Sequence, residues 1–298
     1  MNVLVTGSSG LIGSALVNSL TAHGHAVTRL HRDQSSKDAS YWNPEEDSLR
    51  IDDVPELDVV IHLAGDNIAD GRWTTVKKAR ILNSRVRGTT LLTNFLTTSD
   101  HKPSVFISGS AVGFYGHRGD DVVDEDSQPG TGFLADVCQQ WEEATSPAVQ
   151  AGIRVVHIRM GMVLSVAGGA LKKMLFPFKM GLGGVIGNGK QYMSWVSISD
   201  VVEMIHYVMT HDSIRGPVNL VSPNPVRNDQ FTKVLGHALR RPTIFPMPAL
   251  VAHLLFGEMA NELLLASTRA MPRKLMDAGY PFRHAELADA FGYLFEKS

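Results

Sequence analysis

A doubly wound parallel α/β sheet with a smaller, interleaved C-terminal α/β unit is the fold this sequence predicts, and three observations predict it. A glycine-rich loop, Thr6 to Gly13, joins a β-branched strand to a helix. Short apolar runs then alternate with helical stretches as far as Arg159, the pattern of a parallel sheet covered by helices on both faces. Beyond Gly161 the texture becomes glycine-rich and is later broken by prolines in PNP, RRP and FPMPA, which marks a second unit.

The elements follow in chain order. Asn2 to Thr6 reads as a buried strand, Ser14 to Ala22 as a helix that Gly24 can end, and Ala26 to His31 as the strand closing a βαβ unit. Asp58 to Ala64 and Ser104 to Ser108 are further strands, separated by an amphipathic helix from about Thr74 to Thr98. Leu134 to Gln150 reads as one helix ending at Gly152, and Arg154 to Arg159 as the next strand. Trp195 to Val201 predicts a strand returning to the main sheet, with Ser199 or Asp200 capping the helix after it. The expected division is 1–165 with 195–215 returning to it, against a smaller substrate-side unit of 166–194 and 216–298.

Composition narrows the function. At 298 residues the chain suffices for one or two domains of roughly 150 residues. The 28 Lys and Arg nearly balance 30 Asp and Glu, for a net charge of -2. The positive excess that phosphate-backbone binding draws on is lacking, so nucleic acid is not an expected partner. A single cysteine, Cys138, excludes an internal disulfide and suits a reducing compartment. No apolar run reaches the ~18 residues of a membrane helix, and the apolar start lacks the basic flank and cleavage site of a signal peptide. The expectation is a cytoplasmic protein with no membrane partner. Neither HExxH, a cysteine cluster nor GxSxG occurs, so zinc and α/β-hydrolase chemistry are not expected.

The loop TGSSGLIG carries the strongest signal. A helix N-terminus presents unpaired amides and partial positive charge, and glycines let a pyrophosphate approach that backbone. Gly7, Ser9, Gly10, Leu11, Ile12 and Gly13 are therefore the candidate diphosphate-binding residues of a Rossmann-type dinucleotide site. Without a ligand, the same glycines give a tight turn with close helix packing. The next strand ends RLHRDQ. An acidic residue at its tip would accept from the ribose 2′-hydroxyl of NAD and repel a 2′-phosphate. Arg32 stands there instead, its planar fork suited to phosphate, with His31 beside it as an adenosine contact. NADP(H) is favoured over NAD(H), while the neighbouring Asp33 fits NAD(H).

In order and spacing, TGSSGLIG, DVVIHLAG, RVRGTTLLTNFL, SVFISGSAVGFYG, DEDSQPG, HIRMGMVL and WVSISD resemble the extended and atypical short-chain dehydrogenase/reductases, in their epimerase-like branch. AGDNIADGRW and GEMANELLLAS resemble uncharacterised epimerase-family proteins with a distinctive C-terminal domain. The resemblance implies a nicotinamide cofactor lying along Leu63, Ala64, Gly65, Arg80, Arg85, Ser108 and Met162. It also implies a small polar substrate of the nucleotide-sugar kind, and a homodimer is a common arrangement in such folds. The superfamily's catalytic set is an Asn in the long helix, a Ser or Thr after the following strand, and Tyr-x-x-x-Lys on the next helix. Here Ser110 is retained and Arg85 stands at the Asn position. Leu134 and Cys138, or in the neighbouring register Phe133 and Val137, stand where Tyr and Lys would be.

Loss of a positioned acid/base typically forfeits ~10² to 10⁴ in rate. Tyr115, five residues beyond Ser110, is one candidate replacement, against a packing role with its hydroxyl bonded. Asp120, Asp121 and Asp124 offer carboxylates on a charge-dense loop that also reads as simply solvated. Cys138 needs a basic partner to act as a nucleophile and otherwise reads as a small core residue. Arg85, and less directly Arg80, can clamp a cofactor phosphate or a substrate carboxylate. The glycines of 181–191 read as a loop over the cleft or as flexible turns. Two functions follow: an NADP(H)-dependent oxidoreductase or epimerase-like enzyme in which Ser110 bonds the reacting oxygen, or a non-catalytic NADP(H)-binding or redox-sensing protein.

Overall fold

A computed structural model describes residues 1–32, 40–51 and 56–296. Six strands form one parallel sheet: β1 (Asn2–Thr6), β2 (Ala26–Leu30), β3 (Val59–His62), β4 (Val105–Ala111), β5 (Arg154–Met160) and, after shorter strands outside it, Gly216–Leu220. Two of these, which pair with each other, are labelled β6 (Met162–Leu164) and β7 (Trp195–Ser197), and Gly216–Leu220 is labelled β8. The order across the sheet is β8-β5-β4-β3-β1-β2. Succession reverses at β1, which opens a crevice between the C-terminal ends of β1 and β3, where α/β sheets bind ligands.

Alternation along the strands assigns their two faces. Val3, Val5, Val59, Ile61, Val105 and Ile107 pack in one cluster with Leu16, Val17 and Leu20 of α1 (Leu11–Ala22). Leu4, Val60 and Phe106 point the other way, onto Leu92 and Leu96 of α2 (Thr75–Thr98). Both faces are covered, which explains why these strands read as continuous apolar runs. A second core joins Leu171, Leu175 and Phe178 of α5 (Gly169–Lys179), Phe231 and Leu235 of α7 (Asn228–Leu239), and Phe291 and Leu294 of the C-terminal helix (Leu287–Glu296).

Four expectations are corrected. The helix expected from Leu134 to Gln150 is two, α3 (Phe133–Glu143) and α4 (Ser146–Gln150). Pro147 is the cause: it has no N–H for the preceding turn, and its ring suits the first turn of a new helix. The returning strand is only Trp195–Ser197 and pairs with β6 outside the main sheet. Ser197, not Ser199 or Asp200, caps α6 (Ile198–Thr210), its Oγ accepting from the Asp200 amide at 3.0 Å. The last main-sheet strand is β8, whereas the sequence predicts 216–298 in the smaller unit. Its Pro217 obscured it, yet β8 is an edge strand, where a missing donor is tolerated.

Candidate functional site

The glycine loop is held tightly at the crevice. Gly7 has φ +67, and a Cβ there would lie 2.7 Å from the Leu63 carbonyl carbon. A Cβ on Gly13 would lie 2.1 Å from the Gly7 carbonyl oxygen. The Gly10 amide donates to that same oxygen at 3.0 Å, and Gly10, as the cap residue of α1, has no side chain to bond the helix N-terminus. The helix start is thus left open for an anion by backbone that no larger residue could form. Ser9 and Gly10 are exposed, and Leu11 and Ile12 half-buried. Across the crevice Leu63 donates its amide to the Thr6 carbonyl at 3.3 Å, and Ala64 follows it.

His31 and Arg32 lie just past β2. His31 bridges to Tyr41 of a short hairpin, Ser40–Asn43 with Ser48–Ile51, and Arg32 is exposed with its guanidinium 5.8 Å from the Trp42 ring. Asp33 lies outside the described residues. From α2, Arg85 donates Nη1 to the carbonyls of Asp66 and Ile81 at 3.1 and 3.0 Å, and its guanidinium stands 5.0 Å from the Trp141 ring and closes on Gly65. Burial lowers its pKa, opposed by the nearby Cys138 and Asp66. Arg80 is exposed and 3.4 Å from Asp66.

Other candidates lie elsewhere. Ser108 is buried in mid-strand, and Met162 is half-buried against the second core. Tyr115 is 0% exposed, its hydroxyl donating to Asn219 Oδ1 at 2.8 Å and accepting from Arg159 Nη1 at 3.0 Å. Burial pushes the phenol up to about 12 despite Arg159. Buried with its hydroxyl bonded to both partners, Tyr115 has the arrangement of the packing alternative. Ser110 is 1% exposed and donates to Glu142 Oε1 at 2.6 Å. Glu142 also holds Arg159 in a two-pronged pair, Nε and Nη2 each at 2.8 Å. Burial pushes the Cys138 thiol up to about 11, with Glu142 adding to the rise and Arg85 opposing it. This is the opposite of an activated thiol.

Two features escaped sequence reading. Lys77 is 6% exposed and bonds Asp66 Oδ2 at 2.5 Å and the Asn67 carbonyl at 2.7 Å. It organises the segment AGDNIADGRW beside the crevice, and that segment was its signal. From the C-terminal unit, Glu262 Oε2 accepts from the Leu134 amide at 3.2 Å, placing a carboxylate on the start of α3. Only its sequence GEMANELLLAS hinted at this, because the contact joins residues far apart in the chain.

His62, ending β3, shares 2.7 Å with Thr6 Oγ1, and burial, with Arg32 and Arg85 adding, lowers its pKa to about 3. Folded protein therefore refuses a proton that unfolded chain accepts below about 6.5. Stability from this group is present above that pH and falls toward pH 3 by at most about 1.4 kcal/mol per unit. Urea unfolding of wild type and His62→Asn at pH 7 and 4.5 should show the variant losing less on acidification; equal losses would refute the assignment.

Residues 3–220 match the model described as the NAD dependent epimerase/dehydratase family, and residues 247–294 match a domain of unknown function. An epimerase family protein of Mycobacterium tuberculosis is 43% identical over 292 residues, covering 98% of this chain and 96% of that one. The epimerase family protein YfhF of Bacillus subtilis is 35% identical, covering 99% and 98%. The crystal structure of human epimerase family protein SDR39U1 with NADPH superposes with a TM-score of 0.92 at 31% identity, covering 100% of both chains. The glycine cradle at a strand-order reversal, matched from residue 3 to residue 220, shows that the chain belongs to the NAD dependent epimerase/dehydratase family.

Proposed function

We propose that the crevice binds NADP(H) in preference to NAD(H), and that the protein is an oxidoreductase or epimerase-like enzyme acting on a small polar substrate, with nucleotide sugars as the first class to try. The observation that carries the reading is the Gly7–Gly13 cradle, whose backbone fits a diphosphate and whose neighbouring strand ends at an exposed Arg32. The human relative crystallised with NADPH supports the preference. Bound NADPH would supply a hydride. Amides of Leu11 to Gly13 would hold its diphosphate, and Arg32 the 2′-phosphate. Arg85 would bring fixed positive charge beside Cys138, where the superfamily's lysine is missing.

Arg32→Ala should raise the Kd for NADPH at least tenfold, since a charge-assisted contact is worth about 1.5–3 kcal/mol, and should change NADH binding less than twofold. Titration calorimetry with both coenzymes decides it: equal losses would reject the phosphate role. A panel of carbonyl compounds and nucleotide sugars then tests turnover, which Ser110→Ala should abolish.

A second reading, a non-catalytic NADP(H)-binding or sensing protein, is favoured by one observation. The hydroxyl protons of Ser110 and Tyr115 are both already given to buried acceptors. NADPH binding without turnover on any member of the panel would support it.

A further inference from the structure

A helix that is apolar all round belongs in a core, yet α8 (Ala249–Phe256), ALVAHLLF, buries only Ala252. Leu250 is 70% and Leu254 65% exposed, and Val251 and Leu255 are exposed as well. The chain leading into α8 exposes Ile244 and Phe245. That chain runs beside residues 179–187: Arg241 Nε donates to the Lys179 carbonyl at 2.8 Å, and Met247 and Val185 share a backbone bond at 2.8 Å. Exposed Phe176, Met180 and Leu182 therefore join the same surface. Such a contiguous apolar patch marks an interaction site.

Charge identifies what covers it. From residue 144 to 199, and again from 230 to 257, the sequence contains no Asp or Glu. These two stretches supply the patch, and the same stretches carry exposed Lys172, Lys173, Lys179, Arg240 and Arg241. Asp70 and Glu258, which flank these segments, are each paired with a lysine, Lys173 and Lys78. A second copy docking patch to patch would set these cations against their own equivalents. Exposed apolar side chains on segments that carry Lys and Arg and no acid instead match an anionic bilayer: the side chains enter the headgroup boundary and the cations meet lipid phosphates. No described helix is long and apolar enough to cross a bilayer, so the contact is with its surface.

We infer that α8, with the adjoining ends of α5 and the 241–247 segment, docks this protein on anionic lipid membranes. The test is co-sedimentation of the full chain with vesicles of phosphatidylglycerol and phosphatidylcholine, against phosphatidylcholine alone. The expected result is partition at least tenfold stronger onto the anionic vesicles. The double variants Leu250→Ser/Leu254→Ser and Lys172→Glu/Lys179→Glu should each weaken it at least tenfold with an unchanged circular dichroism spectrum. Absence of wild-type binding, or equal binding by wild type and the serine variant, overturns the inference. A dimer in sedimentation equilibrium that Leu250→Ser/Leu254→Ser dissolves also overturns it, because the patch would then be covered by its own copy.

Discussion

Glu142→Ala is expected to lower stability by about 3–5 kcal/mol, the usual cost of stranding one member of a buried ion pair. The Arg159 guanidinium is 4% exposed, and Glu142 is its carboxylate partner. Its desolvation is offset by those two bonds, which keep its pKa above the ordinary arginine value. Removing the carboxylate also frees the Ser110 proton and disturbs the chain Arg159–Tyr115–Asn219. For a chain of this size, Tm should fall by about 10 °C. Glu142→Gln, which keeps shape and one acceptor, should lose less. Replacing both partners by Met should recover most of the loss, since a well-packed apolar pair often matches a buried ion pair. Differential scanning calorimetry distinguishes these outcomes, and a loss under about 1 kcal/mol for Glu142→Ala would show that water already reaches the arginine. The same variant separates structure from catalysis: if the network is only scaffolding, NADPH affinity measured well below Tm should be unchanged.

The fold was legible because its signals are local. Strand β1 and the start of the glycine loop are set by consecutive residues, and β2, β3 and β5 were found to within about two residues for the same reason. What failed depended on partners far along the chain. Pro217 reads as a strand breaker until its strand is known to lie at the sheet edge. Ser197 could not be chosen as the cap over Ser199 without the backbone angle that places it just outside the helix. Tyr115 illustrates the limit at the site. Its place after β4 was visible, but its direction was not, because Asn219 and Arg159, which bind its hydroxyl, are 104 and 44 residues away. Ser110 likewise kept its superfamily position while its proton went to Glu142, on α3. Arg85 was identified as a departure from the expected Asn. Only the fold brings its charge into the neighbourhood of Cys138, one of the positions where the resemblance leads one to expect a lysine.

Gly13→Ala should abolish dinucleotide binding while leaving the sheet intact. The added methyl would lie 2.1 Å from the Gly7 carbonyl oxygen, and that atom is backbone, so it can retreat only if the turn opens. Opening the turn breaks the 3.0 Å bond from the Gly10 amide to the same oxygen and swings the amides at the start of α1 away from their common focus. Losing two charge-assisted hydrogen bonds to a diphosphate, at about 1.5 kcal/mol or more each, corresponds to at least a hundredfold rise in Kd. The strands themselves are held by Val3, Val5, Val59 and Ile61, none of which the methyl touches, so far-ultraviolet circular dichroism should be preserved. Ser9→Ala, at an exposed position whose contribution is through its backbone, should bind within about threefold of wild type and serves as the control. If Gly13→Ala binds NADPH as tightly as wild type, the phosphates do not sit on this loop. The cradle would then be only a tight turn packing α1 onto β1, and the coenzyme assignment would fall with it.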